Sequence, residues 1–172
     1  MDKPFSFTCT KCGEVHVGMP DLGFDAPLAY HQLTPAERAA SGALTSDTCV
    51  IAGEQFYIRG VLDIPVQGMD RSFGYGVWVS LSPANFARYK ELFKSADPSA
   101  EPAYFGWLCN SLPGYPDTLS LKTNVHLQPV PRRPFIELQA TDHPLSLEQR
   151  EGITVERLRA ILEANEHPGH TA

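Results

Sequence analysis

Cysteine is scarce in this chain: its 172 residues include four, at positions 9, 12, 49 and 109. Small secreted domains that depend on disulfides are much richer in cysteine, so a disulfide scaffold is disfavoured. No apolar run approaches the roughly 18 residues of a membrane-spanning helix. No apolar signal-peptide segment precedes the first cysteines. We therefore expect a cytoplasmic protein that does not enter a membrane.

Basic residues are also in the minority. The chain has 14 Lys and Arg against 20 Asp and Glu, which gives a formal net charge of −6. Non-specific binding to a phosphate backbone needs clustered positive charge, so we predict no nucleic-acid partner. The sequence also lacks a nucleophile elbow, a phosphate loop and a metalloprotease motif. Composition and motifs together thus indicate no particular enzyme class.

The N-terminal sequence does contain one chemical motif, Cys9-x-x-Cys12-Gly13-x-x-His16. Two thiolates at this spacing can bind one metal ion without straining the backbone, and a nearby imidazole adds a third ligand. Gly13 allows the positive φ that such a turn often needs. A structural zinc takes four nitrogen or sulfur ligands, so the fourth would come from a distant part of the chain.

For the fourth ligand the sequence favours Cys49, because this residue begins an apolar segment that is typical of a strand. Cys109 and His31 are the alternatives. We therefore predict a structural Zn²⁺ ion bound by Cys9, Cys12, His16 and Cys49. A metal-free turn and a redox dithiol remain as other interpretations. A redox dithiol would need its first cysteine at a helix N-terminus, and the glycines and proline that follow disfavour a helix there.

The order of the predicted elements indicates an α+β fold. Proline follows a capping residue at Thr34-Pro35 and at Ser82-Pro83, and Thr154 precedes an amphipathic segment, so we predict three helices at these points. The predicted strands cover residues 49–52, 55–64, 73–81, 104–108, 119–127 and 135–138. Short links and the lack of a repeated βαβ unit predict a mainly antiparallel sheet with helices packed on one face.

We expect one domain over residues 1–172. Within it we distinguish a metal-stapled N-terminal arm at 1–50, an α+β core at 51–165 and a frayed tail at 166–172. In the strand 73–81, Gly74 and Gly76 share a face with Trp78. Two glycines on one face leave a trough that predicts either a packed aromatic ring or a bound ligand.

Several polar groups outside the cysteines are candidates for a catalytic site. Lys122, Asn124 and His126 form a stripe along one strand, and His126 would serve as a general base beside a carboxylate. The alternative is an ordinary solvated sheet face. The sequence neighbours Asp142 and His143 point apart on an extended segment. The other candidates are Asp117 and Arg59, for which we expect pairing with Asp63 or Asp47.

The chain resembles a bacterial family of unknown function, domain family 2199. The matching motifs are Cys9-x-x-Cys12-Gly13-x-x-His16, Ser46-Asp47-x-Cys49, Phe56-Tyr57-Ile58-Arg59-Gly60, Gly76-Val77-Trp78-Val79-Ser80-Leu81, Tyr104-Phe105-Gly106-Trp107-Leu108, Leu112-Pro113-Gly114-Tyr115-Pro116 and Asp142-His143-Pro144-Leu145. The resemblance implies a small bacterial protein and supplies no activity. The family pattern favours Cys49 over Cys109 as the metal ligand.

Two hypotheses about function follow. The first is a zinc-stapled protein-binding module that presents an aromatic, glycine-containing sheet face and the turn 112–117, with an acidic surface suited to a basic partner such as a nuclease toxin. Its role would then resemble that of an immunity protein or antitoxin. The second is a small hydrolase with a histidine and an aspartate in a pocket between sheet and loop. A buried His–carboxylate pair would favour the enzyme, and an exposed aromatic patch would favour the binding module.

Overall fold

The computed structural model describes residues 4–93, 97–98 and 100–165. In this part of the chain the strands are β1 (Ser6–Thr8), β2 (Val15–Val17), β3 (Leu22–Gly23), β4 (Gly42–Leu44), β5 (Thr48–Ile51), β6 (Gln55–Ile64), β7 (Phe73–Leu81), β8 (Tyr104–Leu108), β9 (Lys122–His126) and β10 (Phe135–Leu138). The helices are α1 (Leu28–His31), α2 (Pro35–Ser41), α3 (Pro83–Leu92), α4 (Pro144–Glu151) and α5 (Val155–Ala164). The predicted frayed tail at 166–172 lies outside the described residues.

Strands β6 to β10 form a closed barrel. Each strand pairs antiparallel with the next along the chain, and the barrel closes where β10 pairs parallel with β6 at Phe135 and Val61. The Val61 N–H donates to the Pro134 carbonyl at 2.9 Å beside this pairing. The prediction of a mixed α and β fold with mainly antiparallel pairing is therefore confirmed, and the parallel closure was not anticipated.

One face of each barrel strand supplies the main hydrophobic core. Ile58, Leu62, Val77, Val125 and Ile136 are all fully buried there, as the period-2 alternation of the strands requires. Helix α3 adds two buried aromatic residues to this core, and helices α4 and α5 add leucines and an isoleucine. These helices thus pack against the core cluster itself.

The outer face of β6 and β7 is covered by the N-terminal half of the chain. Strands β5 and β4 extend the sheet beyond β6, and β3 pairs parallel with β7. A second buried cluster forms here around Cys49, Tyr57 and Trp78, and residues of the α1 region, including Ala29 and Tyr30, pack against it. Helices therefore lie on more than one side of the sheet. The prediction that they would share one face is therefore matched only in part, because a closed barrel has an outer surface that also needs covering.

The glycine trough of β7 is filled by side chains: that of Arg59 lies over Gly76, and those of Asp21 and Asp63 lie beside Gly74. A Cβ atom built on Gly76 would lie 3.3 Å from Arg59 Nη2, and one built on Gly23 would lie 3.1 Å from the same atom. The trough therefore holds neither of the occupants expected from the sequence, and Trp78 on the same face is itself fully buried. The expected ion pair of Arg59 with Asp63 or Asp47 is not seen among the described residues: the Asp47 carboxylate pairs with Arg133, and Arg59 contacts Asp47 through its backbone N–H, which donates to the Asp47 carbonyl at 2.9 Å.

Candidate metal centre

The cysteine motif lies in a hairpin. Strands β1 and β2 pair antiparallel, with Ser6 opposite Val17 and Thr8 opposite Val15. In the connecting turn the Cys9 N–H donates to the Glu14 carbonyl at 2.9 Å. The Gly13 N–H donates to the Cys9 carbonyl at 2.9 Å, and Gly13 has a φ of 72°. This left-handed conformation is the one for which the sequence motif requires glycine.

The turn brings three ligand side chains together. The Sγ atoms of Cys9 and Cys12 and a ring nitrogen of His16 all lie within 4.8 Å of one another. The Cys12 Sγ and His16 Nε2 atoms are 3.4 Å apart. Cys9 is buried, Cys12 is exposed and His16 is half-buried, so the group opens to solvent on one side. The structure thus brings together three of the four predicted ligands.

The turn also favours the ionised form of its buried thiol. Backbone N–H groups of Cys12 and Lys11 lower the pKa of Cys9, and the charge of Lys11 acts in the same direction. A thiolate is the form of cysteine that binds a metal ion. The local backbone therefore prepares Cys9 for metal binding.

The hairpin is held against the body of the protein by its other residues. Phe7 of β1 belongs to the main core and is 4% exposed, and its ring lies 5.4 Å from that of His16. The Thr10 hydroxyl donates to the Glu163 carbonyl of α5 at 2.5 Å. Arg159 of the same helix donates from Nε to the Ser6 carbonyl at 3.3 Å. The position of the candidate metal centre is thus fixed by α5 and the core.

Cys49, the predicted fourth ligand, is not a member of this group. It lies opposite Tyr57 in the β5–β6 pairing and is fully buried in the second core cluster. Burial raises the pKa of the Cys49 thiol to about 11, which favours the protonated form. The structure therefore uses Cys49 as a small apolar core residue and does not bring it to the other three side chains.

The two alternatives for the fourth ligand also lie elsewhere. His31 Nε2 is 2.9 Å from the Asp25 carboxylate. Burial raises the pKa of the Cys109 thiol to about 11, and its Sγ donates to the Trp107 carbonyl at 3.1 Å. Within the described residues the group that could hold a metal ion has three members.

The predicted polar stripe on β9 contains a histidine–carboxylate pair. His126 Nε2 is 2.8 Å from Glu137 Oε2 of β10, and a hydrogen bond from His126 lowers the pKa of Glu137. Both side chains are well exposed, at 43% and 48%. Glu137 was missed as a partner because the β9–β10 register cannot be read from the sequence.

The remaining catalytic candidates have structural roles. His143 caps α4: its Nδ1 accepts a hydrogen bond from the Leu145 N–H at 3.1 Å. Asp117 accepts from the Leu119 N–H at 3.0 Å within a turn. Asp63 was the other expected partner of Arg59. Burial raises the pKa of its carboxyl group, and the nearby charge of Asp21 raises it further.

An exposed aromatic pair on β8 was not singled out as a surface by the sequence. The rings of Phe105 and Trp107 meet edge to face with centroids 5.0 Å apart, and each residue is 42% exposed. They lie opposite Asn124 and Lys122 in the β8–β9 pairing, so they border the polar stripe. The alternation of residues 104–108 contained the signal, because it places 105 and 107 on the face opposite the buried tyrosine and leucine.

Comparison with known proteins adds a family and no activity. No curated protein and no solved structure matches the chain. In the described residues we find no helix of the length and apolarity needed to span a bilayer. A model of one protein family, described as an uncharacterized protein conserved in bacteria, matches residues 8–153. The chain belongs to this family, DUF2199.

Proposed function

We propose that this protein is a protein-binding module whose N-terminal hairpin is stapled by a structural Zn²⁺ ion. The metal is supported by the three ligand atoms of Cys9, Cys12 and His16, which lie within 4.8 Å of one another. Two thiolates and an imidazole are ligands that suit zinc, whereas magnesium, calcium and manganese prefer oxygen ligands. When bound, the ion would cross-link the two ends of the turn between β1 and β2, and its fourth position would be filled by a ligand outside this group, such as solvent on the exposed side.

The binding role depends on a single observation, the exposed pair Phe105 and Trp107. Large aromatic side chains that stay half-exposed on a rigid strand are typical anchors of protein interfaces. The two rings are fixed by the barrel, so little side-chain entropy would be lost on binding. This surface replaces the glycine-containing face of β7, which the structure buries under Arg59 and the N-terminal segment.

The charge of the chain favours a basic partner. The formal net charge of −6 would attract a positively charged protein at long range and disfavour nucleic acid. A secreted or intracellular toxin with a basic active-site surface fits this description. An antitoxin-like role is therefore the specific form of the proposal.

The metal is tested by elemental analysis of purified, untagged protein. We expect about one zinc per chain, and Cys12→Ser or His16→Ala should lower the ratio at least fivefold, because a two-ligand site binds zinc weakly. Cys49→Ala is the matched control and should keep the full ratio. A ratio near zero in the wild type, or loss of zinc only in the Cys49 variant, would contradict this assignment.

The binding surface is tested by site-specific photo-crosslinking in the native host, with a photoreactive amino acid in place of Trp107. A protein captured at this position should bind the purified module with an affinity that falls at least tenfold in Trp107→Ala, a loss expected when an interface anchor is truncated. Phe93→Ala is the control, since Phe93 is also an exposed aromatic residue, at 51%. Equal affinities of wild type and Trp107→Ala would refute the surface.

A hydrolase is the second candidate, supported by the 2.8 Å contact between His126 and Glu137. An adjacent cleft of about 430 Å³ is lined by Asn124, Glu137, Gln139 and Arg150 among others. Both members of the pair are well exposed, however, so water is not excluded from the site as efficient general-base catalysis usually requires. Turnover of activated esters that is lost in His126→Ala and kept in Trp107→Ala would favour the enzyme over the binding module.

A further inference from the structure

A separate cleft of about 480 Å³ opens beside the end of α3. Its apolar walls come from three parts of the fold: the outer face of β6, the last turn of α3 and the segment between β9 and β10. The wall residues include Val61, Leu92, Phe93, Leu127, Val130 and Pro134. Concave apolar sites of this size are typical of pockets for small organic ligands.

The charged residues described in the cleft wall carry a positive surplus. Asp47, Arg132 and Arg133 are the charged side chains among the described lining residues. Arg133 Nε is 2.8 Å from Asp47 Oδ1, so these two charges satisfy each other. The side chain of Arg132 is exposed, and no described residue offers it a hydrogen bond or ion pair. Among the described lining residues the cleft therefore has one unpaired guanidinium, in a chain whose formal net charge is −6.

We infer that this cleft binds a small amphipathic carboxylate, with the apolar part of the ligand against the walls and the carboxylate on Arg132. A guanidinium binds a carboxylate through two parallel hydrogen bonds, which gives both affinity and orientation. Tyr89 also lines the cleft, close to the Asp47–Arg133 pair, and is 5% exposed. A ligand with a cationic head group would be repelled by the same surplus charge.

The inference is independent of the metal and of the binding surface on β8. None of Cys9, Cys12, His16, Phe105 and Trp107 lines this cleft. Loss of zinc or of the protein partner would therefore leave the carboxylate site intact, and each proposal can fail without the other.

The test uses three ligands that share an eight-carbon chain and differ in charge: octanoate, octan-1-ol and octylammonium. We expect calorimetry on the full chain to show octanoate binding about tenfold more tightly than octan-1-ol, the gain typical of one charge-assisted pair. Octylammonium should bind more weakly than the alcohol. Arg132→Ala should reduce octanoate affinity to that of octan-1-ol, and Arg132→Lys should restore part of the difference.

Lys122→Ala removes an exposed cation outside the cleft and is the matched control; it should leave octanoate affinity unchanged. Octanoate should also shift the methyl NMR signals of Val61, Leu92 and Leu127, which places the ligand between these walls. Equal affinities for octanoate and octan-1-ol, an unchanged affinity in Arg132→Ala, or methyl signals that do not move would each overturn the inference. Because Arg132 is exposed, its replacement is not expected to prevent folding.

Discussion

At the scale of single residues, Arg59 covers part of the glycine-containing face of β7 and so keeps it from serving as an open binding surface. The sequence interrupts an apolar strand with this arginine, and the structure lays it across Gly76 and Gly23. Its Nε atom is buried without a hydrogen-bond partner among the described residues. Burial accordingly lowers the pKa of Arg59, and repulsion from the charge of Arg133 lowers it further. A pattern of glycines alone could not predict this, because the filler comes from the neighbouring strand.

The pair of Asp47 and Arg133 gives a pH dependence at residue scale. Burial by itself would raise the pKa of Asp47, but hydrogen bonds from Ser46 and Arg133 outweigh it and hold the pKa below its ordinary value. A carboxylate with a depressed native pKa contributes stability that is present above its unfolded pKa, near 3.9, and is lost as the pH falls through the native value.

We therefore expect the free energy of unfolding of wild type to exceed that of Asp47→Asn at pH 6 by about 1 kcal/mol, since the pair is partly exposed. This difference should shrink as the pH falls below about 4, in urea denaturation from pH 6 to pH 2.5. Asp142→Asn, at an exposed position, is the control. A difference between wild type and Asp47→Asn that stays constant over this range would contradict the assignment.

At the scale of elements, the sequence predicted the longest strands well and the irregular N-terminal part poorly. The hairpin of β5 and β6, strand β7 and the capped starts of α2, α3 and α5 were all anticipated, because alternation and caps are local signals. The α2 start has the full capping box between Thr34 and Glu37. Strands β1 to β4 are two or three residues long, and segments this short carry too few positions to show a period.

Other elements differed from the prediction for identifiable reasons. The strand expected over residues 119–127 begins only at Lys122, because Ser120 has a φ of 62° and turns the chain. Helix α4 was missed because its capping residue is a histidine, His143, and not one of the usual N-cap residues. The candidate metal ligands show the same limit: the three predicted within one hairpin lie together, whereas Cys49, predicted from a distant strand, lies apart from them in the second core cluster.

Closure of the barrel between β6 and β10 depends on Gly60. A Cβ atom at this position would lie 2.5 Å from Ile136 Cδ1 and 2.9 Å from the Pro134 carbonyl oxygen. We expect Gly60→Ala to lower the free energy of unfolding by about 2–3 kcal/mol, as overpacking of a closed core does. Chemical denaturation monitored by tryptophan fluorescence would measure it.

Gly76→Ala is the matched control, one strand away. The nearest atom there is the end of the Arg59 side chain, at 3.3 Å, which can shift. We therefore expect Gly76→Ala to lower the free energy of unfolding by less than about 1 kcal/mol, as a tolerated substitution does. Equal losses at the two glycines would show that close packing against Ile136 is not what makes Gly60 necessary.

At the scale of the whole molecule, the sequence predicted the class of fold but not its closed form. The alternation of apolar and polar residues along each strand is the same whether the last strand pairs with the first or remains at the edge of an open sheet. The parallel pairing of Phe135 with Val61 is a contact between residues far apart in sequence, and no local pattern records it. The expectation of a single domain over residues 1–172 stays a prediction.

The architecture predicts that metal removal leaves the barrel folded. The candidate ligands Cys9, Cys12 and His16 all belong to the β1–β2 hairpin, whereas the main core consists mostly of barrel strands and the helices packed on them. After treatment with a chelator, hydrogen exchange should increase at least tenfold in residues 6–17, whose opening would then need little free energy, and remain slow in β6 and β7.

The same pattern is expected in Cys12→Ser, which lacks one ligand and provides the control for side effects of the chelator. Global loss of exchange protection on chelation would mean that the ion supports the entire core. No change in residues 6–17 would mean that the hairpin holds its shape without metal.

The contact between Thr10 and the Glu163 carbonyl at 2.5 Å has a practical consequence for protein production. The chain continues for nine residues after Glu163, to position 172. Since nine extended residues span roughly 30 Å at most, a polyhistidine affinity tag fused after residue 172 would begin within reach of the cysteine turn. Nickel leached from a purification column, or the tag's own imidazoles, would then compete at this turn. Tag-free material or a tag on a long spacer is therefore the appropriate starting point for any metal assay on this protein.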